Sequence, residues 1–200
     1  GKYGAPVQKA LSKLAGLPIE TICPTHGPVW QREAARVVDL YDRMSRYEGE
    51  PGVVVAYGSM YGNTERAAER IARTLAAEGV GPIRVYNLSY AEPSEVLRDI
   101  FRFDTLVVGG PTYNGALFPP VRQLLDLIAA RGIPRRRFAW FGSFTWAGAS
   151  ARLLGEFAGQ MKWECVCEAV EMKQGATDDD CRRCDALARA LAAHIKQAAR

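Results

Sequence analysis

Several features that would narrow the reading of these 200 residues quickly are missing. No run approaches the roughly 18–20 consecutive apolar residues of a membrane span, so no spanning helix is expected. The opening GKYGAPVQKALSKL lacks an apolar signal core, so nothing in it directs the chain to secretion. Cysteine is sparse and odd in number. Five, spread unevenly, argue against a disulfide framework and for free thiols in a reducing cytoplasm. Charge of one sign is also lacking, since the net value is only +4. The densest basic patch, Arg131, Arg135, Arg136 and Arg137, has no interleaved aromatics, so no nucleic-acid platform is expected. It reads as a solvated loop before a strand. There is no internal repeat and no low-complexity tract.

What remains has the composition of an ordinary globular domain, 48% apolar and 24% charged, with enough chain to bury a core. From residue 52 onward, apolar runs at 53–57, 83–88, 105–109, 138–142 and 163–170 alternate with helical patterns. Ala68, Ile71, Ala72 and Leu75 share one helical face, as do Val121, Leu124, Leu125 and Ile128. Leu153, Leu154, Phe157 and Ala158 form another, and Leu187, Ala188, Leu191 and Ile195 a last one. The helix over 94–102 carries a weaker pattern, marked mainly by Ser94 after Pro93 and by Val96 and Leu97. Such alternation implies an α/β fold, a doubly wound five-stranded parallel sheet covered on both faces. VVVAY, TLVVGG and FAWFGS are apolar without alternation and read as interior strands. IRVYNLS and ECVCEAVEM mix polar and apolar residues, as edges do. The order 2-1-3-4-5 satisfies both classes with right-handed crossovers, and places a crevice at the C-terminal strand ends.

Residues 1–50 stand outside this pattern. They read as a helix over about 5–15, a short strand at 19–23, the loop PTHGPVW and a helix over about 33–47. EGEPG at 48–52 reads as a linker, with Pro51 blocking helix continuation. One strand in fifty residues cannot readily close a core. The segment is therefore expected to be the tail of something larger, and the chain lacks an initiating Met. The second domain is expected over 51–200.

Three loops fall at the crevice. After the first strand come Ser59, Met60, Tyr61, Gly62, Asn63 and Thr64, with no lysine or arginine before Arg66. The following helix start leaves N–H groups without partners and carries partial positive charge, so it can hold an anion without a cationic side chain. The loop lacks GxGxxG and GK[ST], which disfavours a dinucleotide pyrophosphate and a nucleoside triphosphate. A single phosphate monoester fits best. After the third strand come Gly110, Pro111, Thr112, Tyr113, Asn114 and Gly115, and after the fourth Ser143, Phe144, Thr145, Trp146, Ala147 and Gly148. Tyr113, Phe144 and Trp146 offer broad faces for a planar ring. A phosphate monoester joined to a large flat heterocycle describes flavin mononucleotide, FMN. Any one loop alone is compatible with a helix cap or a core aromatic. Three at positions demanded by one topology point to the flavin.

YGSMYGNTERAAERIA, VVGGPTYNG…FPP and FGSFTWAG resemble the flavodoxin-like domain of flavodiiron proteins, the A-type flavoproteins. IETICPTHGPVW is similar to the end of that family's metallo-β-lactamase-like domain, immediately upstream as in the family. The resemblance implies a phosphate loop at Ser59 to Thr64 and ring-bordering loops at Pro111 to Gly115 and Ser143 to Gly148. It implies that His26 is the last ligand of a diiron centre in the intact parent protein, where dioxygen or nitric oxide is reduced. It further implies a head-to-tail homodimer with the flavin near the partner's irons, and a donor such as a rubredoxin or an NAD(P)H-linked reductase. Two departures stand out. Thr145 occupies a position where glycine is common, and the family's other iron ligands lie upstream of residue 1.

Cys181-x-x-Cys184 falls within a helix pattern after TDDD, not at a strand–helix turn, and is weak evidence for redox or zinc chemistry. Cys165 and Cys167 share one face of the last strand and read as small packing residues. The chain thus reads as an FMN-binding electron-transfer domain carrying the remnant of a diiron domain. No side chain is assigned as acid, base or nucleophile. The alternatives are a stand-alone flavodoxin-like NAD(P)H-dependent quinone or azo reductase, and a flavin-free interaction domain.

Overall fold

The computed structural model describes residues 2–198, and the chain divides after Gly49 into two compact units. In the first, helix α1 (Gly4–Leu14) packs on α2 (Ala34–Ser45). Gly4 permits this approach, because a Cβ there would lie 2.3 Å from the Ser45 carbonyl oxygen. Gln8 Nε2 fastens the pair by donating to Asp42 Oδ1 at 2.8 Å and to Ser45 Oγ at 2.7 Å. The strand expected at 19–23 does not form. Its backbone pairing is a single bridge between Ile22 and Trp30, because no second strand is present among the described residues of this unit.

The second unit holds β1 (Glu50–Tyr57), α3 (Asn63–Ala77), β2 (Ile83–Asn87), α4 (Pro93–Arg102) and β3 (Phe103–Tyr113). A two-residue β4 (Ala116–Leu117), α5 (Pro119–Arg131), β5 (Arg137–Phe144) and α6 (Ser150–Met161) follow. Last come β6 (Glu164–Cys165), β7 (Val170–Lys173) and α7 (Asp178–Ala198). The sheet runs β2-β1-β3-β5-β6, all parallel, with β7 continuing beside β5 and β4 turned back on β3. This is the expected order.

Both faces of the sheet are covered, which explains the unbroken apolar strands. Val53, Val55, Val107, Phe141 and Met172 pack with Ile71 and Leu75 of α3 and Leu187 and Leu191 of α7. Val54, Ala56, Leu106, Val108 and Phe138 pack with Val96 and Ile100 of α4, Val121 and Leu125 of α5 and Leu154 of α6. The weakly patterned α4 therefore forms because tertiary burial of Val96, Leu97 and Ile100 decides it.

Three expectations need correction. The linker at 48–52 is shorter, since Glu50 already pairs with Phe103 and the register shifts before Val53, around Pro51, which has no N–H to give. The last strand breaks in two: five residue steps from Cys165 to Val170 face only three from Phe138 to Phe141, so the chain must loop out between. Cys165 is consequently exposed rather than packed, while Cys167 is half-buried against the core. Finally, the basic patch is not simply a solvated loop. Arg136 is 1% exposed and donates to the carbonyls of Ile100, Phe101, Pro134 and Arg135 at 3.0–3.1 Å. Two of those carbonyls end α4, where helical partners run out and positive charge is favourable. Burial pulls this guanidinium down to about 10. Beside it, Arg137 pairs with Asp104 at 2.7 Å.

Candidate functional site

Five helices begin at the C-terminal edge of the sheet, and their first turns differ. Helix α4 opens with Pro93 and α5 with Pro119 and Pro120, which have no N–H to offer. In α6, Ala149 and Ser150 N–H donate to Thr112 Oγ1 at 2.9 and 3.0 Å, and Ala151 N–H donates to Glu171 Oε1 at 3.3 Å. Helix α7 opens with Asp178, Asp179 and Asp180, a negative cluster. Asp180 is held there: burial alone would raise its carboxyl, but bonds from the Thr177 N–H and hydroxyl and the nearby Arg183 outweigh it and bring it below the usual range. In α3 the three successive N–H groups of Asn63, Thr64 and Glu65 have no acceptor among the described residues. That is where an anion is best accommodated.

The approach to α3 is shaped for this. Gly62 takes a left-handed φ of 84°, and no atom lies within 4 Å of where its Cβ would be. Its own N–H donates to Ser59 Oγ at 3.0 Å, which closes the turn. Glu65 places a carboxylate in the same first turn, but Tyr57 donates its hydroxyl to Glu65 Oε1 at 2.7 Å and draws it aside. Burial, with this bond and the carboxylate's charge, pushes the Tyr57 hydroxyl up to about 12, so it remains a donor. Thr64 is 1% exposed and its Oγ1 lies 3.1 Å from Ser143 Oγ, itself 7% exposed, at the end of β5.

Beside this turn lies a small, open cleft of about 80 Å³. It is lined by Ser59, Met60, Tyr61, Asn63 and Thr64 of the first loop, Pro111 and Thr112 of the second, and Ser143, Phe144 and Thr145 of the third. Ten of the anticipated site residues therefore meet in one place, from three loops. The others belong to the same three loops but do not line it. Asn114 (φ 50°) and Gly115 (φ 70°) form a left-handed two-residue turn that joins β3 to β4, a job for which Asn-Gly is suited. Tyr113 is half exposed, edge-on to Phe118 with ring centres 6.1 Å apart. Trp146 and Tyr61 are 93% and 87% exposed. Gly148 is a close-approach glycine, since a Cβ there would fall 2.6 Å from the Glu171 carboxylate. Thr145, the departure from a common glycine, is not among the residues with left-handed backbone.

Two residues escaped the sequence reading. Gln174 lines the cleft, with φ 63° and its N–H bonded to the Phe144 carbonyl at 2.7 Å. Glu171 caps α6. Glu171 lies in β7 and Gln174 directly follows it, so the topology that singled out three loops was a signal for this fourth strand end as well.

His26 lies exposed in a bend of the first unit. Among the described residues no group of three or more His, Cys, Asp or Glu side chains is placed to hold a metal ion. Cys181 and Cys184 lie in α7. Cys184 is buried, which with neighbouring negative charge pushes its thiol up to about 11 and away from thiolate chemistry. Arg182 and Arg183 beside them pair with Asp179 and Asp180.

A parallel sheet in this order, with a hydroxyl-rich, cation-poor loop opening α3 at its switch point, defines a flavodoxin-like domain. Residues 55–184 match the Flavodoxin family, and the chain belongs to it. It is also similar to proteins of the flavodiiron type. A nitric oxide reductase of Moorella thermoacetica is 31% identical over 90% of this chain and 45% of that protein. The anaerobic nitric oxide reductase flavorubredoxin of Vibrio vulnificus is 29% identical over 73% of this chain and 29% of its own. Rubredoxin oxygen:oxidoreductase from Desulfovibrio gigas superposes with a TM-score of 0.91 at 26% identity, covering 98% of this chain and 50% of that one. The chain thus spans half the length of these relatives or less.

Proposed function

We propose that the chain is an FMN-binding electron-transfer domain of a flavodiiron-type oxygen or nitric oxide reductase. The observation that carries this reading is the first turn of α3, with its three unaccepted N–H groups beside a cleft shared by three loops. The phosphate would take the N–H groups of Asn63, Thr64 and Glu65 and the hydroxyls of Ser59 and Thr64. The ring would lie between the Pro111–Gly115 and Ser143–Gly148 loops, with Tyr113, Phe144 and Trp146 at its faces and edge. FMN, when bound, supplies one- and two-electron transfer; the protein holds and orients it and limits water around it.

Residues 1–50 fit the end of a metallo-β-lactamase-like diiron domain, with His26 as one ligand completed by chain that precedes residue 1. In the parent protein a head-to-tail homodimer would bring flavin to iron, and a rubredoxin or an NAD(P)H-linked reductase would deliver electrons. By itself this chain would accept and pass electrons without reducing dioxygen to water or nitric oxide to nitrous oxide. The test is the identity of the bound cofactor. Flavin released from the purified, reconstituted protein should run as FMN on chromatography. FAD, a nicotinamide or no cofactor at all would overturn the proposal.

A further inference from the structure

Ser143 belongs by sequence to a loop assigned to the flavin ring, yet within the cleft its hydroxyl meets the first loop. It is 7% exposed, and the group it meets is the still more buried hydroxyl of Thr64 at 3.1 Å. Thr64 is a first-turn residue of α3, on the anion side of the cleft. The two positions are 79 residues apart, so this bond ties the first loop to the third.

A hydroxyl has one proton to give and can accept as well. Between Thr64 and Ser143 either oxygen can be the donor. An anion at the start of α3 removes that freedom, because a phosphate oxygen can only accept from Thr64. Once Thr64 donates to phosphate, its oxygen must take the proton of Ser143. The order Ser143 Oγ–H to Thr64 Oγ1, then Thr64 Oγ1–H to phosphate, leaves every proton used. The reverse order would turn the Thr64 proton away from the anion and present a lone pair to it.

Resting on the flavin reading above, we infer that Ser143 is a positioning residue for phosphate recognition: it acts through Thr64, fixing the direction of the Thr64 proton, and does not touch the ring. Because a bond in such a chain polarises the next, the second is strengthened by the first. Ser143 therefore contributes to the discrimination between a flavin with a phosphate and one without.

The experiment is equilibrium titration of the apoprotein with FMN and with riboflavin, for the native chain, Ser143→Ala, Thr64→Val and the double variant. Native protein that binds neither flavin refutes the flavin reading itself, independently of Ser143. Given native binding, Ser143→Ala should weaken FMN by about two- to tenfold, the range of one net hydrogen bond, while riboflavin stays within about twofold. Ser143→Thr, which keeps the hydroxyl, should recover most of the FMN preference. The double variant should bind FMN no more weakly than Thr64→Val alone. Riboflavin also monitors the fold, since a disordered site loses both ligands. Equal losses for FMN and riboflavin in Ser143→Ala would overturn the inference in favour of a structural or ring-side role. Fully additive losses in the double variant would overturn it in favour of a direct contact between Ser143 and the phosphate.

Discussion

Asp185 of α7 receives both arms of the Arg70 guanidinium from α3, Nε at 2.9 Å and an η nitrogen at 2.7 Å. The Thr74 hydroxyl adds a third bond at 2.9 Å. The Arg70 bond, which outweighs partial burial, holds this carboxyl below its ordinary range, with Thr74 assisting. The carboxylate thereby joins the two helices that cover one face of the sheet, one of which begins at the proposed phosphate site.

Asp185→Asn should destabilise the chain by about 1–2 kcal/mol at neutral pH, the scale of charge-assisted bonds at a half-exposed site. A depressed folded value means this stability is present above the unfolded carboxylate pKa and is lost as pH falls through the folded one. Urea unfolding at pH 7 and at acid pH checks it. The variant's deficit should shrink toward zero in acid, and a deficit independent of pH would contradict the assignment.

Arg136→Met should cost about 3 kcal/mol, because carbonyls of Ile100, Phe101, Pro134 and Arg135 lose a donor in a buried place. Arg136→Lys should not rescue, since an ammonium cannot present the guanidinium's planar fork to them all. Denaturant midpoints measure both. A neutral Lys variant would show that charge alone matters at this helix end.

Gly148→Ala should weaken FMN and riboflavin alike, by roughly 1–3 kcal/mol, as overpacking against the Glu171 carboxylate displaces the third loop. Its reach is tested by the same variant in a Glu171→Gln background. Binding that is unchanged in Gly148→Ala would remove this loop from the site.

Trp146 is 93% exposed and directly follows Thr145, which lines the cleft. If the flavin ring lies against it, Trp146→Leu should raise the fluorescence of bound FMN by relieving quenching. Unchanged fluorescence and unchanged affinity would place this indole off the ring.

The sheet order was legible because burial on two faces and on one leave different strand patterns, as VVVAY and IRVYN show. The loop before α3 was legible as a candidate anion site because a helix start that offers bare N–H groups needs small, hydroxyl-bearing residues before it. Other features turn on contacts between distant residues, which periodicity does not carry. The break between Cys165 and Val170 depends on pairing with β5. Arg136 looked like one more surface charge because its acceptors, the end of α4, lie some 35 residues away. That Asn114-Gly115 makes a tight turn depends on the pairing of β3 with β4. Thr64 and Ser143 were each assigned to the site, but only folding shows them bonded to each other.

In the proposed reading a phosphate monoester, and no larger phosphate group, seats on the first turn of α3. Titration of the apoprotein with FMN, riboflavin and FAD tests it most directly. Two charge-assisted bonds predict FMN tighter than riboflavin by about a hundredfold or more, with FAD weaker than FMN. Equal affinity for FMN and riboflavin, or tighter binding of FAD, would contradict it.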